Sequence, residues 1–142
     1  MKVLFVCRQN VGRSQTAKAF YNELSQTHNA DAAGTHVEEA GQTLQQRKDT
    51  SSSKNFFLFD AMNEAGIDIS QYTRRPIAPE MLNKYDLIVS MVSKSDTPEW
   101  LLDSPKYVYW DVKDPRGQDL PTTVQVRDDI KEKVQKLLAQ AV

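Results

Sequence analysis

The single cysteine of the chain, Cys7, opens a short segment whose residue types suit chemistry on an oxyanion. A thiol is a strong nucleophile only as the thiolate, which helix N-termini and nearby cations favour. Arg13 can return to the mouth of the loop that begins at Cys7, and its planar fork matches two oxygens of a phosphoryl group. Ser14 can donate its hydroxyl to the sulfur. The segment therefore predicts that Cys7 attacks phosphorus while Arg13 binds the oxyanion.

This segment lies where an α/β protein binds anions. Lys2 to Val6 is rich in β-branched and aromatic residues, which predicts a buried strand, and apolar residues recur at helical spacing from Ser14 onward. A loop between a strand and a helix can turn backbone N–H groups and the helix dipole toward one anion. Asn10 tolerates left-handed backbone geometry, and we expect Gly12 to relieve crowding before Arg13. The predicted oxyanion-binding residues are Arg8, Gln9, Asn10, Val11, Gly12 and Ser14.

The rest of the pattern alternates strands with helices. Further strands are predicted at 29–35, 85–91 and 107–110, and helices at 38–49, 56–65, 97–102 and 123–141, with another beginning at Glu80. Ser51 to Ser53 indicates a loop or a cap, and whether residues 38–55 form one helix or a lid stays open. The alternation predicts a single α/β domain over residues 1–142, with a parallel sheet covered by helices on both faces.

The composition argues against several classes of function. The formal net charge is −1, which provides no basic field for binding nucleic acid. No apolar run approaches the ~20 residues that span a bilayer, and the N-terminus lacks the pattern of a secretory signal. We therefore expect a cytoplasmic protein with no membrane partner. One cysteine permits neither an internal disulfide nor a cysteine-rich zinc site, and His28 and His36 lack metal-ligand spacing, so no metal site is predicted.

With these residues in place, the chain resembles the low-molecular-weight protein tyrosine phosphatase family, which includes the related arsenate reductases. The shared signature is C-x5-R-S from Cys7 to Ser14, with Asn10 at the family's asparagine. Further matches follow in the family's order: Ala33-Gly34-Thr35, Gly66-Ile67-Asp68-Ile69-Ser70 with Arg75, Tyr85-Asp86-Leu87-Ile88-Val89, and Asp114-Pro115. The resemblance implies a four-stranded parallel sheet with flanking helices, and no metal or organic cofactor.

The resemblance also implies roles for three residues. It makes Cys7 the nucleophile, Arg13 the clamp on the oxyanion, and Asp114 the general acid that protonates the leaving oxygen and then activates water. Elementary chemistry agrees, because the leaving oxygen needs a proton and a carboxyl group on a loop can supply it. Asp111 is the rival candidate for the acid, and we expect Asp114 to serve.

Some positions depart from the familiar phosphatase pattern. Gly12 replaces a second cysteine that often precedes the arginine. Arg116 and Gly117 replace tyrosines that often follow Asp-Pro, which removes an aromatic wall for phosphotyrosine. Tyr72 stands where many relatives carry histidine. Together with Arg74 and Arg75 it could bind an acidic flank of the substrate, although a solvated loop is the simpler interpretation.

Other positions resemble the arsenate reductase branch. Gln15-Thr16 follows the signature, and the run from Trp110 to Pro115 is similar to that branch. Members that couple to thioredoxin need two further thiols, and this chain has Met91 and Val92 at the matching stretch. An internal thiol relay is therefore excluded by the cysteine count.

Three hypotheses follow. The first is a phosphatase that hydrolyses phosphotyrosine or other aryl phosphates, on a protein or a small molecule, through a cysteinyl-phosphate intermediate. The second is an arsenate reductase that uses an external thiol or glutaredoxin, since phosphate, sulfate and arsenate all suit the loop. The third is a non-catalytic oxyanion-binding or phosphocarrier domain, which has less use for Arg13 and none for a general acid. The physiological substrate and the oligomeric state stay open.

Overall fold

Four parallel strands form the sheet of the computed structural model, which describes residues 1–51 and 55–141. The strands are β1 (Val3–Cys7), β2 (Ala30–Gly34), β3 (Leu87–Ser90) and β4 (Tyr107–Tyr109), in the order β2-β1-β3-β4. The helices are α1 (Arg13–Ser25), α2 (Leu44–Asp49), α3 (Leu58–Glu64), α4 (Glu99–Leu102) and α5 (Leu120–Gln140), with 3₁₀ turns at Pro79–Asn83 and Lys94–Asp96. The predicted α/β fold with a four-stranded parallel sheet is confirmed.

Strand β1 lies inside the sheet and is buried along its whole length. Its side chains alternate between two apolar clusters. Val3 and Phe5 belong to the cluster formed with α1, α3 and α5, while Leu4 and Val6 belong to the cluster on the other face with α4 and the Pro79–Asn83 turn. A strand covered on both faces reads as a continuous apolar run, which is why β1 could be predicted.

Helix ends account for most differences in element boundaries. Gly66 follows α3 with a φ of +82°, the left-handed geometry that glycine commonly adopts just after a helix. Helix α5 begins at Leu120 rather than Thr123, because the Asp119 side chain accepts a hydrogen bond from the Thr122 N–H (2.9 Å) and caps the helix. The helix expected from Glu80 is only a 3₁₀ turn.

The predicted helix over 38–49 is wrong in its first half. Helix α2 begins at Leu44, where Thr43 and Gln46 form a capping box. Before it, Gly41 and Gln42 exchange backbone hydrogen bonds with Arg74, so this stretch pairs with a neighbouring segment instead of coiling. The predicted loop at Ser52 and Ser53 lies outside the described residues. No helix within residues 1–51 and 55–141 has both the length and the apolar character needed to cross a membrane.

Candidate active site

The loop between β1 and α1 forms the floor of a cleft. Cys7 ends β1 and is only 3% exposed, and Arg13 is the first residue of α1. Cys7, Arg13 and Asp114 all line this cleft, which has a volume of about 220 Å³. The structure therefore brings together the three residues that the sequence analysis singled out for catalysis.

The carbonyl groups of residues 7–10 point away from the centre of the loop, because each accepts a hydrogen bond from a donor outside the loop. In order along the chain, the carbonyls of Cys7, Arg8, Gln9 and Asn10 accept from Thr35 N (3.0 Å), His36 N (2.7 Å), Arg74 Nε (3.0 Å) and Gln15 Nε2 (3.2 Å). In a trans peptide the next N–H points opposite to the carbonyl. Within the part of the chain that the structure describes, no backbone N–H of residues 9–12 donates a hydrogen bond. The loop therefore offers consecutive N–H groups to an anion.

A chain of three hydrogen bonds ends on the Cys7 sulfur. Asn10 is fully buried with a φ of +58°, and its Oδ1 accepts a hydrogen bond from the Arg75 N–H (2.8 Å). This fixes the amide so that its Nδ2 donates to Ser14 Oγ (2.9 Å). Ser14 Oγ lies 3.0 Å from Cys7 Sγ, and since it already accepts from Asn10, its own hydrogen is available to the sulfur. The hydroxyl is placed to stabilise a thiolate.

Gly34 and Gly12 both lie at the loop, but they differ in the space available for a side chain. A Cβ added to Gly34 would lie 2.8 Å from the Arg8 carbonyl oxygen and 2.9 Å from the Asn10 nitrogen, so only glycine fits beside the loop. A Cβ on Gly12 would meet nothing within 4 Å, and the φ of Gly12 is −95°. The expectation that Gly12 relieves crowding before Arg13 is therefore wrong.

The Arg13 guanidinium is held at the cleft by carbonyl groups from two other strand ends. Its Nη1 donates to the carbonyl oxygens of Met91 (2.6 Å) and Val112 (3.1 Å), and its Nη2 lies 3.8 Å from Asp114 Oδ2. Asp114 is half-exposed and lines the cleft, whereas Asp111 lines a separate groove beside the end of α5. Of the two rival carboxyl groups, only Asp114 stands beside Arg13.

The interpretation of Tyr72, Arg74 and Arg75 as part of a solvated loop is wrong for Arg74. Arg74 is 5% exposed and bonds to the Gln9 carbonyl, while the Arg75 side chain donates to the Ala32 carbonyl (3.0 Å) and to the Tyr85 hydroxyl (2.7 Å). Arg74 thus supports the loop from a buried position, whereas Arg75 is bonded to β2 and Tyr85 with its side chain still 41% exposed. Burial, and secondly the hydrogen bond to Asp31, raises the pKa of Tyr85. Tyr72 lies under the Lys18 ammonium group, 4.3 Å from the ring centre.

Several residues of the cleft carried no signal in the sequence. These are Arg47 from α2 and the two aromatic residues Phe56 and Phe57, which line its wall. Nothing local marks Arg47 or the two phenylalanines as site residues, since their approach to the cleft depends on how α2 and residues 55–57 pack. His28 and His36 are both exposed, in agreement with their interpretation as surface residues.

Comparisons with known proteins agree with this geometry. The model of the low molecular weight phosphotyrosine protein phosphatase family matches residues 2–142. A glutaredoxin arsenate reductase from Synechocystis is 33% identical over 98% of this chain and 97% of its own length, and an arsenate reductase from Brevibacillus brevis is 34% identical over 94% and 91%.

Solved structures extend the comparison to the fold. A low molecular weight protein tyrosine phosphatase from T. tengcongensis superposes with a TM-score of 0.79, at 25% identity over 99% of each chain. An arsenate reductase in the phosphate binding state superposes with a TM-score of 0.74, at 29% identity over 99% of this chain and 98% of the other. The resemblance drawn from the sequence is thereby confirmed, and the chain belongs to the low molecular weight phosphotyrosine protein phosphatase family of enzymes.

Proposed function

We propose that this protein is an arsenate reductase that forms a covalent Cys7–arsenate intermediate and transfers it to a thiol from outside the chain. The observation that carries this proposal is the naming of the curated relatives: those at 31–34% identity over more than nine-tenths of the chain are called arsenate reductases. Among the sequence hypotheses, the second therefore moves ahead of the first. Arg116 and Gly117 support this order, since no aromatic wall follows Asp114.

In the first step the loop binds arsenate and Cys7 attacks arsenic. The N–H groups of residues 9–12 and the guanidinium of Arg13 hold the oxyanion charge. A sulfur–arsenic bond forms, and one arsenic–oxygen bond breaks. Asp114 gives its proton to that oxygen, which leaves as water. Ser14 lowers the free energy of the Cys7 thiolate before the attack.

The second step needs an external thiol, because the chain has no other cysteine. To attack the Cys7 sulfur, a thiolate would have to approach from the side opposite arsenic, and that side is protein interior. Arsenic faces the cleft instead. We infer that the external thiol attacks arsenic in line with Cys7 and gives its proton to the Asp114 carboxylate, and that the electron pair of the broken sulfur–arsenic bond returns to the Cys7 sulfur.

Reduction follows on the transferred group. A second thiolate attacks the sulfur of the thiol–arsenate adduct, a disulfide forms, and the sulfur–arsenic electron pair stays on arsenic, which passes from As(V) to As(III). The net reaction converts arsenate and two thiols into arsenite, one disulfide and water. A thiol-rich compartment supports this chemistry, and we propose the cytoplasm as the location.

A phosphatase activity at the same site is the second candidate. If water replaces the thiol, the same in-line displacement hydrolyses a cysteinyl-phosphate, again with Asp114 as the base. The observation in its favour is the cleft, whose volume and apolar wall of Phe56 and Phe57 exceed what a bare oxyanion requires. Phosphotyrosine or another aryl phosphate would place its ring against that wall.

One set of assays tests both candidates. Purified protein is given arsenate with glutathione and glutaredoxin, and separately an aryl phosphate, while arsenite, disulfide and phenol are measured. We expect one arsenite per disulfide, loss of all turnover in Cys7→Ser, and slower turnover in Asp114→Asn. If the protein hydrolyses the aryl phosphate but produces no arsenite with any of the thiols, the arsenate reductase proposal is overturned in favour of the phosphatase. Oxyanion binding with neither turnover would overturn both.

A further inference from the structure

Arg74 is a buried guanidinium directly behind the oxyanion loop. It is 5% exposed, and within residues 1–51 and 55–141 no carboxylate oxygen lies within ion-pair distance of it. Removing a cation from water is costly unless hydrogen bonds and a nearby negative charge compensate it. A guanidinium in this place therefore needs hydrogen bonds and a nearby negative charge, and the oxyanion loop contains the groups that could provide them.

The position of Arg74 is fixed through its backbone. Its N–H donates to the Gln42 carbonyl (2.9 Å), and its carbonyl accepts from the Gly41 N–H (2.8 Å). From this anchored backbone the side chain reaches in two directions: Nε donates to the Gln9 carbonyl (3.0 Å) and Nη1 to Gln42 Oε1 (2.8 Å). The guanidinium thus connects the segment before α2 to the oxyanion loop.

The bond to Gln9 controls the direction of one peptide group. Because the peptide is planar and trans, a Gln9 carbonyl turned toward Arg74 directs the Asn10 N–H the opposite way. Asn10 itself has a φ of +58°, which is the geometry that a nest of N–H groups needs. Without a donor behind it, the Gln9 carbonyl would lose its partner, and rotation of this peptide would turn an oxygen toward the bound anion.

Charge adds to this geometry. Burial, and then the neighbouring Arg47, lower the pKa of Arg74, whereas the negative charge of Cys7 acts in the opposite direction, ahead of Glu39 and Glu38. Cys7 is therefore the anion that most favours a charged Arg74. The attraction is mutual, so the guanidinium adds to the positive field in which the Cys7 sulfur and a bound oxyanion lie.

We propose that Arg74 is a positioning residue of this site: it holds the Gln9 carbonyl away from the oxyanion and supplies a second buried positive charge behind Cys7. The proposal rests on the oxyanion chemistry proposed for Cys7. It assigns to Arg74 a function distinct from that of Arg13, which faces the cleft. Arg74 makes its contribution through the loop and does not touch the substrate.

The test compares Arg74→Met, Arg74→Gln and Arg74→Lys in the full chain. Calorimetry measures binding of inorganic phosphate, and alkylation of Cys7 by iodoacetamide is timed at pH 6 and pH 9. We expect Arg74→Met and Arg74→Gln to bind phosphate about tenfold more weakly, or worse. Alkylation at pH 6 should slow several-fold, with little change at pH 9. Arg74→Lys should recover most of the pH 6 alkylation rate, because it keeps the charge, but less of the phosphate affinity.

Arg127→Met is the matched control, because Arg127 also donates to a backbone carbonyl (Ala61, 2.7 Å) from a mostly buried side chain, and that carbonyl belongs to α3 rather than to the oxyanion loop. It should lose stability without losing phosphate affinity. Phosphate binding and pH 6 alkylation equal to wild type in Arg74→Met would overturn the proposal. If Cys7 in Arg74→Lys is alkylated at pH 6 no faster than in Arg74→Met, the part of the proposal that concerns the charge of Arg74 is refuted. If Arg74→Met does not fold, Arg74→Lys decides by the same measurements. Failure of the wild type to bind phosphate would instead refute the proposed function.

Discussion

Replacing Gly34 by alanine should deform the oxyanion loop from behind. Gly34 is paired with Cys7 in the sheet, and an added Cβ would lie 2.7 Å from Val37 Cγ2, 2.8 Å from the Arg8 carbonyl oxygen and 2.9 Å from the Asn10 nitrogen. Non-bonded heavy atoms prefer separations of about 3.5–4.0 Å. The loop must therefore move by roughly 0.5–1 Å, and it carries the N–H groups that we propose bind the oxyanion.

The expected cost follows from this overlap. Overpacking a tight site destabilises a protein by about 1–3 kcal/mol, and at this chain length each kcal/mol lowers the melting temperature by about 2–4 °C. Two of the three close atoms are backbone, which yields less readily than a side chain, so we expect the upper part of that range. A misplacement of about 1 Å in the loop can also reduce turnover by about 10²-fold.

Thermal unfolding with and without phosphate measures both effects. Phosphate that binds only the folded state raises the melting temperature of the wild type, and this increase should shrink in Gly34→Ala. Gly12→Ala is the control for stability, since its Cβ meets nothing and its φ suits alanine; its melting temperature should be unchanged or slightly higher. A Gly34→Ala protein as stable as the wild type, with the same response to phosphate, would refute the derived loop geometry.

Three further results are expected. Ser14→Ala removes the hydroxyl 3.0 Å from the Cys7 sulfur and should slow turnover about tenfold or more. Ser90→Ala, which removes a buried hydroxyl that accepts a hydrogen bond from the Val92 N–H, should not; equal rates in the two variants would contradict the role of Ser14. Arg116→Tyr should raise kcat/KM for an aryl phosphate but not for arsenate, as steady-state assays of both would reveal. Because burial raises the pKa of Tyr85, the folded state holds that proton more tightly, and stability should fall as the pH rises above about 10; urea titrations should find a shallower fall in Tyr85→Phe.

Much of the site could be predicted because its parts are close in sequence. Cys7 to Ser14 spans one strand end, one loop and one helix start, so residue types and spacing define the local geometry. Asp114 was harder to choose over Asp111, since both belong to one polar stretch. Only the path of the chain after β4 places one carboxyl beside Arg13 and the other beside α5.

The support behind the loop could not be predicted in the same way. Arg74 and Arg75 are two charged residues before a proline, which is typical of a solvated connection. Their segment is instead bonded on both sides, to Gln42 and to Gly34, over long sequence separations, and Arg74 is buried there. The helix expected over 38–49 failed for the same reason: this pairing prevails over a weak local preference for helix.

Because the carbonyl groups of residues 7–10 in the loop point outward, the oxyanion pocket has its shape before any anion binds. Such a pocket recognises a tetrahedral anion by its size and charge and has little room to adapt to its identity. Arsenate should thus bind in competition with inorganic phosphate. Arsenate and phosphate are then distinguished by the chemistry that follows binding. Arsenic joined to sulfur can take up two electrons from thiols, whereas phosphorus in the same position only exchanges one ligand for another.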